Sequence, residues 1–142
     1  SFTLRVEHTG GKIYTEIEAI DSAIFVDEMH FQNVIFNLMD NAVKYRKQDK
    51  PIDIYLRTWN DNDHLYLSVR DTGLGIKKEN LKKIFDKFYR VHTGNVHDAK
   101  GFGLGLAYVH KVVDLHDGEI KVESEYGKGT TFTIKLPVIK DE

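Results

Sequence analysis

Four segments stand in order between Asn33 and Leu106: the helix-patterned run NVIFNLMDNAVKY, the turn DTGLGI, the aromatic and basic stretch KIFDKFYRV, and the glycine run GFGLGL. Any fold for this chain must therefore accommodate a helix with a polar stripe and two turns that carry glycine at alternate positions. At about 100° per residue, Asn33, Asn37, Asn41 and Lys44 fall within an arc of roughly 80°, beside an apolar arc of Phe31, Val34, Ile35, Leu38 and Ala42. Asparagine competes with the backbone for hydrogen bonds and is a middling helix former, so such a stripe is costly unless something outside the helix uses the amides. Phe36, Met39 and Val43 occupy yet another face. Little of the helix is left for solvent, and the stripe is expected to line a cavity, a solvated helix face being the alternative. Carboxamide oxygens in a cavity suit a hard cation such as magnesium, which travels with phosphates and keeps several of its waters.

Around this helix the pattern alternates between strands and helices. Phe2 to His8 and Lys12 to Glu18 read as two strands joined in a hairpin through Gly10 and Gly11. A long helix is expected from Glu28 to Arg46, then a hairpin of Ile52 to Trp59 and Leu65 to Asp71 across Asn60-Asp61-Asn62-Asp63. Asn80 to Phe88 has room for a short helix. A further helix runs from about Gly103 to His116 and stops at Asp117-Gly118, and Ile120 to Ser124 and Thr130 to Leu136 form a last hairpin. The fold class expected is α+β: a two-layer sandwich with three helices on one face of a mixed or largely antiparallel sheet and the other face open.

Within the strand before DTGLGI, Leu65, Leu67, Val69 and Asp71 share one face, so Asp71 points inward. A carboxylate buried there needs donors. An adenine amino group is one, and Gly73 and Gly75 would let a flat base come close to the backbone. An Asx-type turn capped by Asp71 is the alternative. Thr130, in phase with Phe132, Ile134 and Leu136, also faces inward, where its hydroxyl could brace Asp71. In GFGLGL, Gly101, Gly103 and Gly105 lead into a helix whose first amides favour phosphate oxygens. The polar loop from Gly94 to Lys100 replaces the buried strand of a dinucleotide fingerprint, and no GxxxxGK[ST] is present. A lid closing over phosphates fits better, with a plain glycine-rich connector as the alternative. Ile84 and Phe85 read as core. Arg90 stands where the ordered segment meets the lid, from which its guanidinium could reach a terminal phosphate or simply face solvent.

Composition excludes several classes. Twenty basic residues against twenty-two acidic ones, without a basic stripe, leave nothing to hold a nucleic-acid backbone. With no cysteine there is no disulfide or thiolate metal site. The seven histidines lack ligand spacing, so no zinc is expected. No apolar run approaches the roughly 18 residues of a spanning helix, so no direct membrane insertion is expected. A length of 142 residues suits one domain, spanning 1–142.

Taken together, NVIFNLMDNAVKY, DTGLGI, KIFDKFYRV, GFGLGL and GKGTTF resemble the N, G1, F, G2 and G3 boxes of the catalytic ATP-binding domain of sensor histidine kinases, within the GHKL group of ATPases and kinases. The resemblance covers almost the whole chain. It implies a sandwich of a mixed five-stranded sheet and three helices, with ATP and Mg²⁺ as cofactors. By the same resemblance, Asn41 binds the metal, Asn37 and Lys44 approach the phosphates, and Tyr45 packs on the nucleotide. Asp71 accepts from the adenine amino group, with Gly73, Gly75 and Thr130 completing that contact. Arg90 touches the γ-phosphate, and Gly101, Gly103 and Gly105 supply backbone donors at the lid. Asn37, Lys44 and Arg90 are thus the catalytic candidates. In hydrolysing relatives, the position of Asn37 is typically a glutamate general base. A carboxamide cannot take up a proton usefully, and this favours transfer to the neutral nitrogen of a histidine.

Two departures stand out. Phe102 replaces the Thr or Ser frequent in the lid, and no segment resembles the phosphoacceptor box, His97-Asp98 and His116-Asp117 sharing only its adjacent acid. The resemblance therefore implies a partner, a dimerisation and phosphoacceptor domain preceding Ser1, and indirectly the receiver domain of a response regulator. It places this domain on the cytoplasmic side of a membrane-anchored sensor. A GHKL-type ATPase and a non-catalytic nucleotide-sensing module are the rival readings.

Overall fold

The computed structural model describes residues 2–18, 28–86 and 105–138. Five strands form one sheet: β1 (Ile13–Ile17), β2 (Ile54–Asn60), β3 (His64–Asp71), β4 (Glu119–Glu125) and β5 (Gly129–Pro137). Their spatial order is β1-β2-β3-β5-β4. Among the strands of the described residues only β1 and β2 run parallel, with a long helix between them in sequence. The other neighbours are antiparallel, so the sheet is mixed, as expected.

The α-helices α1 (Phe2–His8), α2 (Glu28–Lys44) and α3 (Gly105–Leu115) cover one face. Strand β5 shows why that face is chosen: Thr130, Phe132, Ile134 and Leu136 are buried while their neighbours are not. Val34 and Leu38 of α2 and Val109 and Val113 of α3 close on Ile54, Val69, Phe132 and Ile134. The opposite face of the sheet shields itself. Trp59 stacks on Tyr66 with ring centres 5.2 Å apart, Arg57 lies over Trp59, and Arg70 lies over Tyr55.

The first expected hairpin is absent, because Phe2–His8 is a helix and β1 pairs with β2 instead. The alternation of Phe2, Leu4 and Val6 suggests a strand, yet Phe2 and Val6 are also four apart and so share a helix face. In the fold Val6 is fully buried and Phe2 meets Phe36 edge to face at 4.9 Å, whereas Leu4 is left 60% exposed. A strand would have buried all three. The two glycines serve a different end from a hairpin turn. A Cβ on Gly11 would stand 1.7 Å from the carbonyl oxygen of Ile52, so this glycine lets the chain pass directly over the start of the next strand segment. Thr9 holds that crossing: its hydroxyl donates to Val6 O at 2.6 Å and accepts the Ile52 N–H at 3.0 Å.

The helix expected over Asn80 to Phe88 is replaced, within the described residues, by a 3-10 turn at Lys78–Asn80 and successive turns. Lys83 N–H bonds to Asn80 O and Asp86 N–H to Lys83 O, both at three-residue spacing. Ile84 is buried and Phe85 packs on the core, as their sequence pattern suggests.

Candidate functional site

The site is built where the C-terminal half of α2, the DTGLGI turn and the β4–β5 hairpin converge. On α2, Asn37 and Asn41 are half-buried and Asn33 and Lys44 exposed. The amide nitrogen of Asn37 donates to Asn33 O at 2.7 Å, a bond one helical turn back. Its oxygen faces the start of α3, since a Cβ on Gly105 would lie 2.9 Å from Asn37 Oδ1. The last glycine of GFGLGL is thus brought against the asparagine stripe. Arg90, Gly101, Gly103 and Phe102, together with the lid segment itself, lie outside the described residues.

Lys44 sits on the same stripe, with its ammonium 2.9 Å from Asp40 Oδ2. The other oxygen of Asp40 accepts from Arg5 of α1 at 3.0 Å. Asp40 was not singled out from sequence, although its spacing of four to Lys44 is the signal for such a pair.

DTGLGI is pinned from three sides. The Leu74 N–H donates to Tyr45 O at the end of α2 (3.0 Å), and the Thr72 N–H to Asp53 O (3.2 Å). On the third side Gly127 N–H donates to Leu74 O at 2.6 Å, and Ile76 N–H to Ser124 Oγ at 2.7 Å. The glycines are required by these contacts. A Cβ on Gly73 would be 2.9 Å from Tyr45 O, and one on Gly75 would be 2.2 Å from Glu125 O. The space a side chain would need is filled by the protein's own carbonyls, which is a different reason from leaving room for a base.

At the end of β3, Asp71 is 8% exposed and pairs across the ladder with Thr130 of β5. Its Oδ1 accepts the Gly73 N–H at 2.9 Å, so the Asx-type turn forms and the carboxylate is buried as well. Burial pushes its pKa up to about 6, against the opposing donors at Gly73 and at the Thr130 main chain. Thr130 thus supports Asp71 through its backbone. Its hydroxyl instead lies 2.8 Å from Ser124 Oγ. Ser124 is the residue that sequence reasoning missed. It is in phase with Ile120 and Val122 on β4, which was the available sign that it faces inward.

Among the described residues no three His, Asp or Glu side chains come together as a metal cage. Magnesium does not need one, because one or two protein oxygens suffice when phosphates and waters fill its octahedron. A half-buried carboxamide such as Asn41 fits that demand. His116 is committed to packing, with Nδ1 2.8 Å from Val112 O and its ring edge-on to Phe31.

Residues 26–140 match the family model described as histidine kinase-, DNA gyrase B-, and HSP90-like ATPase. The sensor protein RprX of Bacteroides fragilis is 58% identical over 142 residues, which are all of this chain and 27% of that protein. The sensor histidine kinase RcsC of Escherichia coli is 39% identical over 127 residues, 89% of this chain and 13% of that one. The chain therefore spans about a quarter or less of these relatives' length. Among solved structures, the catalytic domain of histidine kinase ThkA superposes with a TM-score of 0.79 at 25% identity, covering 96% of this chain and 86% of that one. Full-length ShkA in complex with AMPPNP superposes with a TM-score of 0.81 at 26% identity, covering 99% of this chain and 28% of that one.

Proposed function

The chain belongs to the family of histidine kinase-, DNA gyrase B-, and HSP90-like ATPases, and on that footing we propose that it binds Mg-ATP and transfers the γ-phosphoryl group to a histidine on a separate dimerisation and phosphoacceptor domain of the same sensor protein. The phosphoryl group would pass on to the receiver domain of a response regulator, and this domain would work on the cytoplasmic side of a membrane-anchored sensor. The observation that carries the reading is Asp71: a buried carboxylate with one oxygen committed to Gly73, set in a turn that is tied to α2 on one side and to the Thr130 hairpin on the other. A buried acceptor held so firmly suits a ligand that brings its own donor, as an adenine amino group does.

Asn37 and Lys44 would then approach the phosphates, Tyr45 would pack on the nucleotide, and Asn41 would hold the magnesium through its carboxamide oxygen. Magnesium, when bound, supplies charge neutralisation on the phosphates. Arg90, Gly101, Gly103 and Gly105 would complete the phosphate contacts. In the transfer, the bond from the γ-phosphorus to its bridging oxygen breaks, ADP leaves, and a bond to the acceptor's neutral ring nitrogen forms. The protein contributes position and charge, and Asn37 offers no base for activating water.

Titration calorimetry with a non-hydrolysable ATP analogue, with and without Mg²⁺, is the first test, followed by labelled ATP with the phosphoacceptor domain supplied in trans. Magnesium-dependent binding and label on that domain's histidine are expected. Binding without transfer would leave a nucleotide sensor, and steady phosphate release that Asn37→Ala abolishes would indicate an ATPase. A further expectation concerns Lys44. Asp40 competes with phosphate for its ammonium, so Asp40→Asn should raise analogue affinity a few-fold while changing melting stability by no more than about 1 kcal/mol for each of its two ion pairs, whose basic partners are exposed. Lower affinity in that variant would mean that Asp40 orients Lys44 for the ligand.

A further inference from the structure

Ser124, Thr130 and Asp71 form one row across the sheet, since Ser124 pairs with Thr130 and Thr130 with Asp71 on the inward face. Ser124 Oγ has three partners: the Ile76 N–H at 2.7 Å, the Gly129 carbonyl at 2.8 Å and Thr130 Oγ1 at 2.8 Å. A serine hydroxyl has one proton and two lone pairs. The Ile76 N–H can only donate, so it takes one lone pair. The Gly129 oxygen can only accept, so it takes the proton. What remains for Thr130 is the second lone pair, and Thr130 must therefore donate its own proton to Ser124. Its oxygen is left with lone pairs alone. Next to it stands Asp71, which as a carboxylate also only accepts.

We propose that Ser124 is a positioning residue for base selection: by holding the Thr130 proton it leaves Thr130 and Asp71 as a pair of acceptors, which selects an amino group over a carbonyl at position six of a purine nucleotide. The inference rests on the reading of this corner as the base site. Without Ser124, the Thr130 hydroxyl is free to turn and donate, and a six-oxo base meets a donor where it met only lone pairs.

The test is calorimetry of the full 142-residue chain with ADP and with IDP, which differ at position six, in the presence of Mg²⁺. The wild type should favour ADP strongly. Ser124→Ala should lower the ADP to IDP affinity ratio by about tenfold, with IDP binding more tightly than before, while Ser124→Thr keeps a hydroxyl and keeps the ratio. If Ser124 only stiffens the hairpin, Ser124→Ala weakens both nucleotides alike, the ratio stands, and the proposal is overturned. Should Ser124→Ala fail to fold, Thr130→Val decides the matter. Loss of an acceptor weakens ADP and spares IDP, so the ratio falls; a ratio that rises would show that Thr130 donates into the pocket, against the proposal. A folded wild-type chain that binds neither nucleotide overturns the base-site reading itself, an outcome distinct from an unchanged ratio.

Discussion

Asp71→Asn is expected to cost most of the nucleotide affinity and, at the same time, to make the empty domain more stable at neutral pH. The affinity loss follows from replacing a charge-assisted acceptor by an amide that turns an N–H₂ toward the incoming amino group; about 1.5 to 3 kcal/mol, or roughly 10- to 150-fold, is the usual size of such a change. The stability gain follows from burial. Asp71 has its pKa pushed up from 3.8 to about 6 in the folded state. A raised carboxyl pKa means that the folded chain binds the proton more tightly than the unfolded chain. The benefit is therefore whole below pH 3.8, is lost as the pH rises toward about 6, and above that the ionised group is a burden. A displacement of this size corresponds to about 3 kcal/mol, which the isosteric amide escapes. Melting curves of the empty domain should show Asp71→Asn several degrees above wild type at pH 7.5, with the gap closing by pH 4. Wild-type affinity for an ATP analogue should fall as the pH drops through about 6, with the Asn variant, whose ligand phosphates titrate identically, as the baseline. Equal melting temperatures at pH 7.5 would show that the carboxylate is fully compensated in place.

Asp71 and Thr130 were legible because two-residue periodicity alone turns them inward among apolar neighbours, and a polar group in that position asks for a partner. The helix beneath the asparagine stripe was legible for the analogous helical reason, but its exposure was not: Asn33 is exposed and Phe36 is 52% exposed, so the helix keeps a solvent face that the apolar pattern did not suggest. What sequence could not distinguish was the partner. Ser124 carries the same inward phase as Val122, but a lone serine announces nothing until the fold sets Ile76 N–H and Gly129 O around it. Phe2–His8 misled for a different reason: seven residues with apolar positions two and four apart satisfy both periods, and only the surface of α2 decides between them. The parallel pairing of β1 was hidden for the same cause, since a strand beside a glycine pair suggests a hairpin before a distant partner is known. Lys44 and Asp40 lie on one helix and their pairing was open to view, yet the bridge onward to Arg5 depends on α1 being helical.

The second large effect separates two glycines that share a positive φ. Gly75 has φ +75° and Gly127 has φ +90°. An alanine at either position pays the left-handed penalty of about 1 kcal/mol or a little more. Around Gly127, among the described residues and beyond its own chain neighbours, no atom lies within 4 Å of where a Cβ would stand, so Gly127→Ala should cost little beyond that. Around Gly75 a Cβ would fall 2.2 Å from Glu125 O and 3.0 Å from the Tyr126 Cα, both backbone atoms that cannot swing aside. The turn and the β4–β5 hairpin would have to separate, and that hairpin carries Ser124 and Thr130. Gly75→Ala is therefore expected to lose about 3 kcal/mol or more in denaturant melts. Any fraction that still folds should bind the ATP analogue at least tenfold more weakly, because the acceptor row beside Asp71 has been pulled out of line. Gly127→Ala should bind as the wild type does. If the two variants proved equally stable and bound nucleotide equally, the close approach of Gly75 to the hairpin would have no energetic weight, and the site would be held together by the turn's own hydrogen bonds alone.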